Sequence, residues 1–348
     1  VDSSNKDTHI NRYNFKLSSI YDVKIDSANT LKLTVKANFY HTESEEDYQL
    51  KRSDQDKNLF NVTDRFTKLN SDKQSYTANA IFKHKFKKQR RTLSLTADWN
   101  LLQTDGTSLL QSYNEDFLKA TIVNVDQKKE TEKSTQKFSS KIVYTEPLSK
   151  KYSLEIGHEI SYTLGNNDQT TYCYNTTSGK YDTGVDSLTN DFNQKIMINR
   201  PSAKINYAGK KIKFNFGAGV GFTHFDFIDK TSNKDYIRNY TNFFPAANFT
   251  YTYKSNHSLR FNYNGNTTQP TLNQLQPLTN NNDQYNQYIG NPNLKQSFSN
   301  TFNLSHNGYN FLKDRWMYQS LNVNVTSNSI TNSRIYDGGN FITQPGNT

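Results

Sequence analysis

The sequence predicts an all-β fold, a transmembrane antiparallel up-and-down β-barrel of the outer-membrane type, on three observations. Apolar and polar residues alternate through about a dozen segments, and a period of two is the strand period. The links between segments run short, long, short, long, as they do where tight turns lie on one side of a membrane and longer loops on the other. The chain is polar yet aromatic: 33% of its 348 residues are hydrophobic, against about 45–50% in ordinary globular domains, while Tyr and Phe number 23 and 22. A conventional soluble core is underfilled by such a composition, and disorder is opposed by the aromatics. A wide barrel reconciles the two, since one face of each strand meets lipid and the other meets water.

Strands are predicted near 11–25, 30–42, 72–86, 91–104, 133–145, 151–165, 191–207, 211–227, 241–254, 257–268, 297–310 and 316–332. The second is the cleanest, with Leu31, Leu33, Val35, Ala37 and Phe39 on one face and Lys32, Thr34, Lys36, Asn38 and Tyr40 on the other. The fourth carries Leu93, Leu95, Ala97, Trp99 and Leu101; the sixth carries Tyr152, Leu154, Ile156, His158, Ile160, Tyr162 and Leu164. In the eighth, Ile212, Phe214, Phe216, Ala218, Val220 and Phe222 oppose Lys213, Asn215, Gly217, Gly219, Gly221 and Thr223, and the last repeats the pattern at Leu321, Val323 and Val325. Tight links fall at 26–29, 86–90, 146–150, 208–210, 254–256 and 311–315. Long ones fall at 43–71, 105–132, 166–190, 228–240 and 269–296, where Gly165-Asn166-Asn167-Asp168 and Asn280-Asn281-Asn282-Asp283 read as turns on a wet surface. The length asymmetry puts the tight turns in the periplasm and the long loops outside.

No run reaches the roughly 18 apolar residues of a membrane helix, a test that strands escape. The formal charge of +10 raises nucleic acid as a partner, but its densest cluster, Lys85, Lys87, Lys88, Arg90 and Arg91, sits where one strand ends and the next begins. It reads as a solvated turn, where basic residues could also meet lipid phosphates, rather than as a dedicated polyanion site, and no nucleic-acid partner is expected. Cys173 is the only cysteine, which excludes an internal disulfide and a thiolate metal cluster. The absence of a leader at Val1 and the ending at Pro345-Gly346-Asn347-Thr348 read as cuts within a longer protein.

The stretch from Asn242-Phe243-Phe244-Pro245 through Tyr251, then Ser255-Asn256-His257-Ser258-Leu259-Arg260-Phe261-Asn262-Tyr263, then Gln269-Pro270, Leu272, Leu275 and Pro277, and finally Gly290-Asn291-Pro292-Asn293-Leu294-Lys295, resembles the barrel of TonB-dependent receptors. It is most similar to the outer-membrane β-barrel family of Bacteroidetes. The likeness is fullest over 240–335 and architectural elsewhere. Where that family usually continues with Lys-Pro and an acidic residue, this chain reads Leu294-Lys295-Gln296-Ser297. The resemblance implies that residues 1–348 are one partial barrel domain, part of a barrel of about 22 strands whose plug, flanking strands and TonB-contacting segment lie outside the sequence. It further implies capture and import of a small-molecule or oligomeric nutrient. Outer-membrane lipid, the TonB system and a surface lipoprotein would be its partners, and no cofactor or catalytic residue is called for.

Each candidate functional residue also has a plainer reading. Tyr285, Tyr288 and Asn291, in a loop crowded with Asn and Gln, are the candidate extracellular ligand or partner residues; loop packing is the plainer account. Lys32, Lys36, Glu155, Glu159, Lys213 and Arg260 are the candidate lumen-facing residues. Glu155 and Glu159 superficially suggest a glycosidase pair, but four strand steps separate them by about 13 Å, so lumen charge facing a plug or solute is the better reading. The acidic run at Glu43, Glu45, Glu46, Asp47, Asp54 and Asp56 fits no EF-hand spacing, and the seven histidines form no zinc motif. A structural scaffold for other surface proteins is the rival from a second class; a soluble carbohydrate-binding β-protein is a third.

Overall fold

The computed structural model describes residues 2–348 other than 232, 276–278, 281–285 and 338–339. The main sheet contains β1 (Asp2–Lys24), β2 (Asn29–Ser53), β3 (Leu59–Lys85), β4 (Thr92–Asp116), β5 (Thr121–Pro147), β6 (Tyr152–Asn175), β7 (Lys180–Gly184), β8 (Asn190–Ala208), β9 (Ile212–Asp229), β10 (Lys234–Lys254) and β11 (His257–Thr268). After a one-turn helix α1 (Leu272–Leu275) come the short β12 (Thr279–Asn280) and β13 (Asn286–Ile289). The long β14 (Ser297–Asn310) and β15 (Arg315–Ser327) return to the wall, and β16 (Ile330–Asp337) and β17 (Asn340–Asn347) close the chain. Twelve strands form one antiparallel path from β1 to β15, each beside its chain neighbour, with β7 paired to the side of β6. A second sheet has the order β12-β13-β17-β16, with β13 and β17 parallel.

The alternation seen in the sequence becomes a continuous apolar face because the register keeps it in phase. Residues directly opposite in neighbouring strands share a face, and Val35, Ala78, Trp99, Phe138, Tyr162 and Met197 form one such row across six strands. Ile205, Phe216, Ala247, Tyr263, Phe302 and Val323 form another. A slip of one residue anywhere would put polar side chains into this belt.

The rows also climb. The row through Val35 stands six residue steps above the start of β2 but reaches His224, twelve steps above the start of β9. At a rise of about 3.3 Å per residue and a spacing of about 4.8 Å per strand, this corresponds to a tilt of about 35°, the inclination of strands in a barrel wall.

The long loops expected at 43–71, 105–132 and 166–190 are in large part strand. β2 and β3 stay paired up to Ser53 and Leu59, so only a tight turn remains, and β4 and β5 meet from Asp116 and Thr121 downward. Period-two alternation of hydrophobicity fades there because both faces are wet, yet the backbone N–H and C=O groups still need partners, and the neighbouring strand supplies them. Gly165-Asn166-Asn167-Asp168 is therefore mid-strand, with Asn166 opposite Asn193 and Asn167 fully buried. The predicted strand 316–332 breaks instead at Asn328, whose φ of 51° is the left-handed conformation that Asn tolerates.

Candidate functional site: a polar wall and its cap

The polar residues on the other face of each strand form a second surface. Lys32, Lys36, Glu155, Glu159, Lys213 and Arg260 all lie on this face, as the register carries it from strand to strand. Glu155 and Glu159 project from β6 toward β8, where Lys204 Nζ lies 3.3 Å from Glu155 Oε1 and Arg200 Nη2 2.7 Å from Glu159 Oε2. Arg200 also rests over the ring of Phe244, 5.1 Å from its centroid, and that ring lies against Gly221: a Cβ there would meet Phe244 Cε2 at 2.4 Å. The inward glycine thus makes room for an aromatic ring, a packing role.

At the long-hairpin end this face is covered. Phe192, Ile196, Phe225 and Phe227 of β8 and β9, with Leu275 and Leu294 from the segment between β11 and β14, form the buried apolar cluster. Phe192 and Phe227 stack with centroids 5.1 Å apart, and Ile330 of β16 packs on the outside. Arg238 of β10 donates from its guanidinium to the carbonyls of Leu294 and Pro292, clasping the Gly290-Asn291-Pro292 turn to the wall. Across the wall, Lys133 Nζ of β5 donates to Asn273 Oδ1 at 3.3 Å.

The three candidate loop residues differ in position. Tyr288 is half-buried, pairs with Thr343 in the second sheet, and has its hydroxyl pKa pushed up by burial. Asn291 donates from Nδ2 to Pro345 O of β17 at 3.1 Å and accepts the Asn293 N–H at 2.9 Å; the first contact ties the turn to the second sheet and the second lies within the turn. Tyr285 lies outside the described residues. Sequence reasoning missed Arg238, which fell in an expected loop, and the inward cluster. The signal for the cluster was available: Phe222 is followed by Phe225 and Phe227 in the opposite parity, so the polar face turns apolar where something covers it.

A tilted, up-and-down wall with a lipid-matched belt on one face and a capped polar surface on the other defines a transmembrane β-barrel protein. The chain belongs to the outer membrane protein beta-barrel family, whose family model matches residues 84–348, and its place is the outer membrane. No curated protein matches the sequence. Among solved structures, the pyoverdine outer membrane receptor FpvA from Pseudomonas aeruginosa PAO1 bound to pyoverdine is similar at 10% identity and a TM-score of 0.51, with 98% of this chain and 57% of that one covered. FpvA of P. aeruginosa bound to heterologous pyoverdines matches at 9% identity and 0.50, covering 95% and 48%. The ferric-catecholate import receptor Fiu from E. coli K12 matches at 11% and 0.48, covering 98% and 59%. The chain thus spans about half the length of these solved structures, and the likeness is one of fold.

Proposed function

We propose that the chain is wall and cap of a TonB-dependent receptor that captures a scarce nutrient and imports it, with 1–348 a partial barrel domain completed by further strands and a plug. The observation that carries this reading is the inward cap: a segment held over the polar face by Arg238 and an apolar cluster suits a guarded lumen better than a surface built for docking other proteins. The long hairpins then face outside and the short turns the periplasm. Lys32, Lys36, Glu155, Glu159, Lys213 and Arg260 line the lumen, and Tyr288 and Asn291 border its outer mouth. TonB acts through preceding parts of the protein, a surface lipoprotein is a further partner, and the Gly290-Asn291-Pro292 segment favours the Bacteroidetes branch. Nothing in this role calls for covalent chemistry.

The test compares solute depletion from the medium by wild-type cells, cells lacking the protein and cells lacking TonB. A solute drawn down only by the wild type supports energised import. If both mutants deplete every solute as the wild type does, while surface proteins are lost with the barrel, the scaffold role is correct instead.

A further inference from the structure

Charge is partitioned between the two faces of the wall. On β5, Lys129, Lys133, Lys137 and Lys141 fall on the polar face, while Asp126, Glu130, Glu132 and Glu146 share the other with Lys128 alone. On β3, Arg65, Lys73, Lys83 and Lys85 lie on the polar face, and Asp64 and Asp72 on the other with Lys68. On β2, the polar face holds Lys32, Lys36, Glu46 and Arg52, and the other Glu43, Glu45, Asp47 and Lys51.

Of the carboxylates on the polar face, Asp98 of β4 stands between Lys137 and Lys141 in the register and accepts from Asn79 Nδ2 at 2.6 Å, and three others are held by ion pairs. Glu46 lies 2.7 Å from Lys6 and 3.1 Å from Arg65, and Glu155 and Glu159 are held by β8. Among the described residues of 269–296 the one charged residue is Lys295, in a segment rich in Asn and Gln. Lys133 meets the neutral amide of Asn273 there. Lys73 and Lys137 are exposed, and both stand above the row through Val35, toward the long hairpins.

We infer that the polar face at the long-hairpin end is an anion-collecting vestibule that takes multiply charged oxyanionic solutes, phosphorylated or carboxylate-bearing. A face with an excess of cations raises the local concentration of counter-ions, while the acidic outer face of the same hairpins turns anions away from the exterior. The inference rests on reading the polar face as the lumen side. It names the substrate class of that site and does not require import to be energised.

The intact protein in neutral detergent is titrated with tripolyphosphate, citrate, spermine and maltotriose by equilibrium dialysis. Tripolyphosphate and citrate should bind, spermine and maltotriose should not, and about 1 M NaCl, which shortens screening to about 3 Å, should abolish binding. The triple variant Lys73→Gln, Lys133→Gln, Lys137→Gln should raise Kd about tenfold or more, and the matching triple Arg variant should restore it, each checked for heat-modifiable folding. A control in the short turns, Lys210→Gln with Lys211→Gln, should change nothing. Equal binding of spermine, an unaltered Kd in the Gln triple, or loss confined to the short-turn control overturns the inference. Oxyanion binding as expected in a protein whose loss leaves solute depletion unchanged would sink the import reading and leave the vestibule standing.

Discussion

Phe216 is 63% exposed in a row between Ile205 and Ala247, an arrangement that water would penalise and hydrocarbon rewards. Phe214, two residues along, stacks on Tyr207 at 5.2 Å on the same face. An Arg at position 216 should cost roughly 2–4 kcal/mol near the bilayer midplane. Phe216→Arg is therefore expected to accumulate without the heat-modifiable band, and normal assembly would show that this face does not meet lipid. At the short-turn rim, beyond the apolar belt, Glu146 joins two turns. Arg91 reaches it through Nε at 2.8 Å and Nη2 at 2.9 Å, Tyr144 donates at 2.6 Å, and Lys88 completes the group. Hydrogen bonds from Arg91 first, then Lys88 and Tyr144, hold the carboxyl down at about 2 instead of the usual 4.5. A depressed carboxylate pKa contributes stability that is full above the ordinary value and lost as pH falls through the folded one. The melting temperature of wild type should thus exceed that of Glu146→Gln near neutrality and converge with it between about pH 4.5 and 2. A margin that stays constant over that range would show that the ionised cluster contributes nothing.

The hairpins carry the clearest lesson about what sequence patterns reveal. Where lipid lies on one face, as in 30–42 and 211–227, alternation marks strand, face and register together. Where water lies on both faces, as in 43–53 and 121–132, no pattern in hydrophobicity distinguishes a strand from a loop, and only the pairing partner decides. The Asn-rich run at 165–168 misled for the same reason, since turn propensity yields to a ladder on both sides. The cap was legible only in part: its Gly290-Asn291-Pro292 turn stood out, while the inward partners Phe225, Phe227 and Arg238 depend on contacts between distant segments. A consequence for proteolysis follows. Trypsin added to intact cells should cut after Lys57 and Lys119, in the tight turns that end the β2–β3 and β4–β5 hairpins, and spare Lys68 and Lys128 within the ladders, because cleavage needs an unpaired, extended backbone. Mass spectrometry of the released peptides reads this directly. Cuts after Lys87 or Lys150 in intact cells would reverse the orientation.

At the scale of the whole molecule, the wall is a tilted sheet whose outermost strands among the described residues are β1 and β15, and the cap reaches from the β11–β14 connection across its polar face to Lys133 on β5. The apolar cluster and the Arg238 clasp act on the same segment, so they should be separable by mutation. Deleting 270–293 removes Leu275, β12 and β13, but leaves Thr268 opposite Ser297 at the mouth of the β11–β14 hairpin, so assembly should persist and any solute capture should fail. Arg238→Ala is gentler: it frees two carbonyls and keeps the cluster, so the cap should stay near the wall but lose its fixed seat. In an intact protein with Cys173→Ser, cysteines at Lys133→Cys and Asn273→Cys should be joined by a short bis-maleimide, and Arg238→Ala should lower the yield severalfold without changing heat-modifiable mobility. Undiminished joining in Arg238→Ala would assign the seat to the apolar cluster alone, and no joining in the otherwise wild-type background would remove the cap from the polar wall.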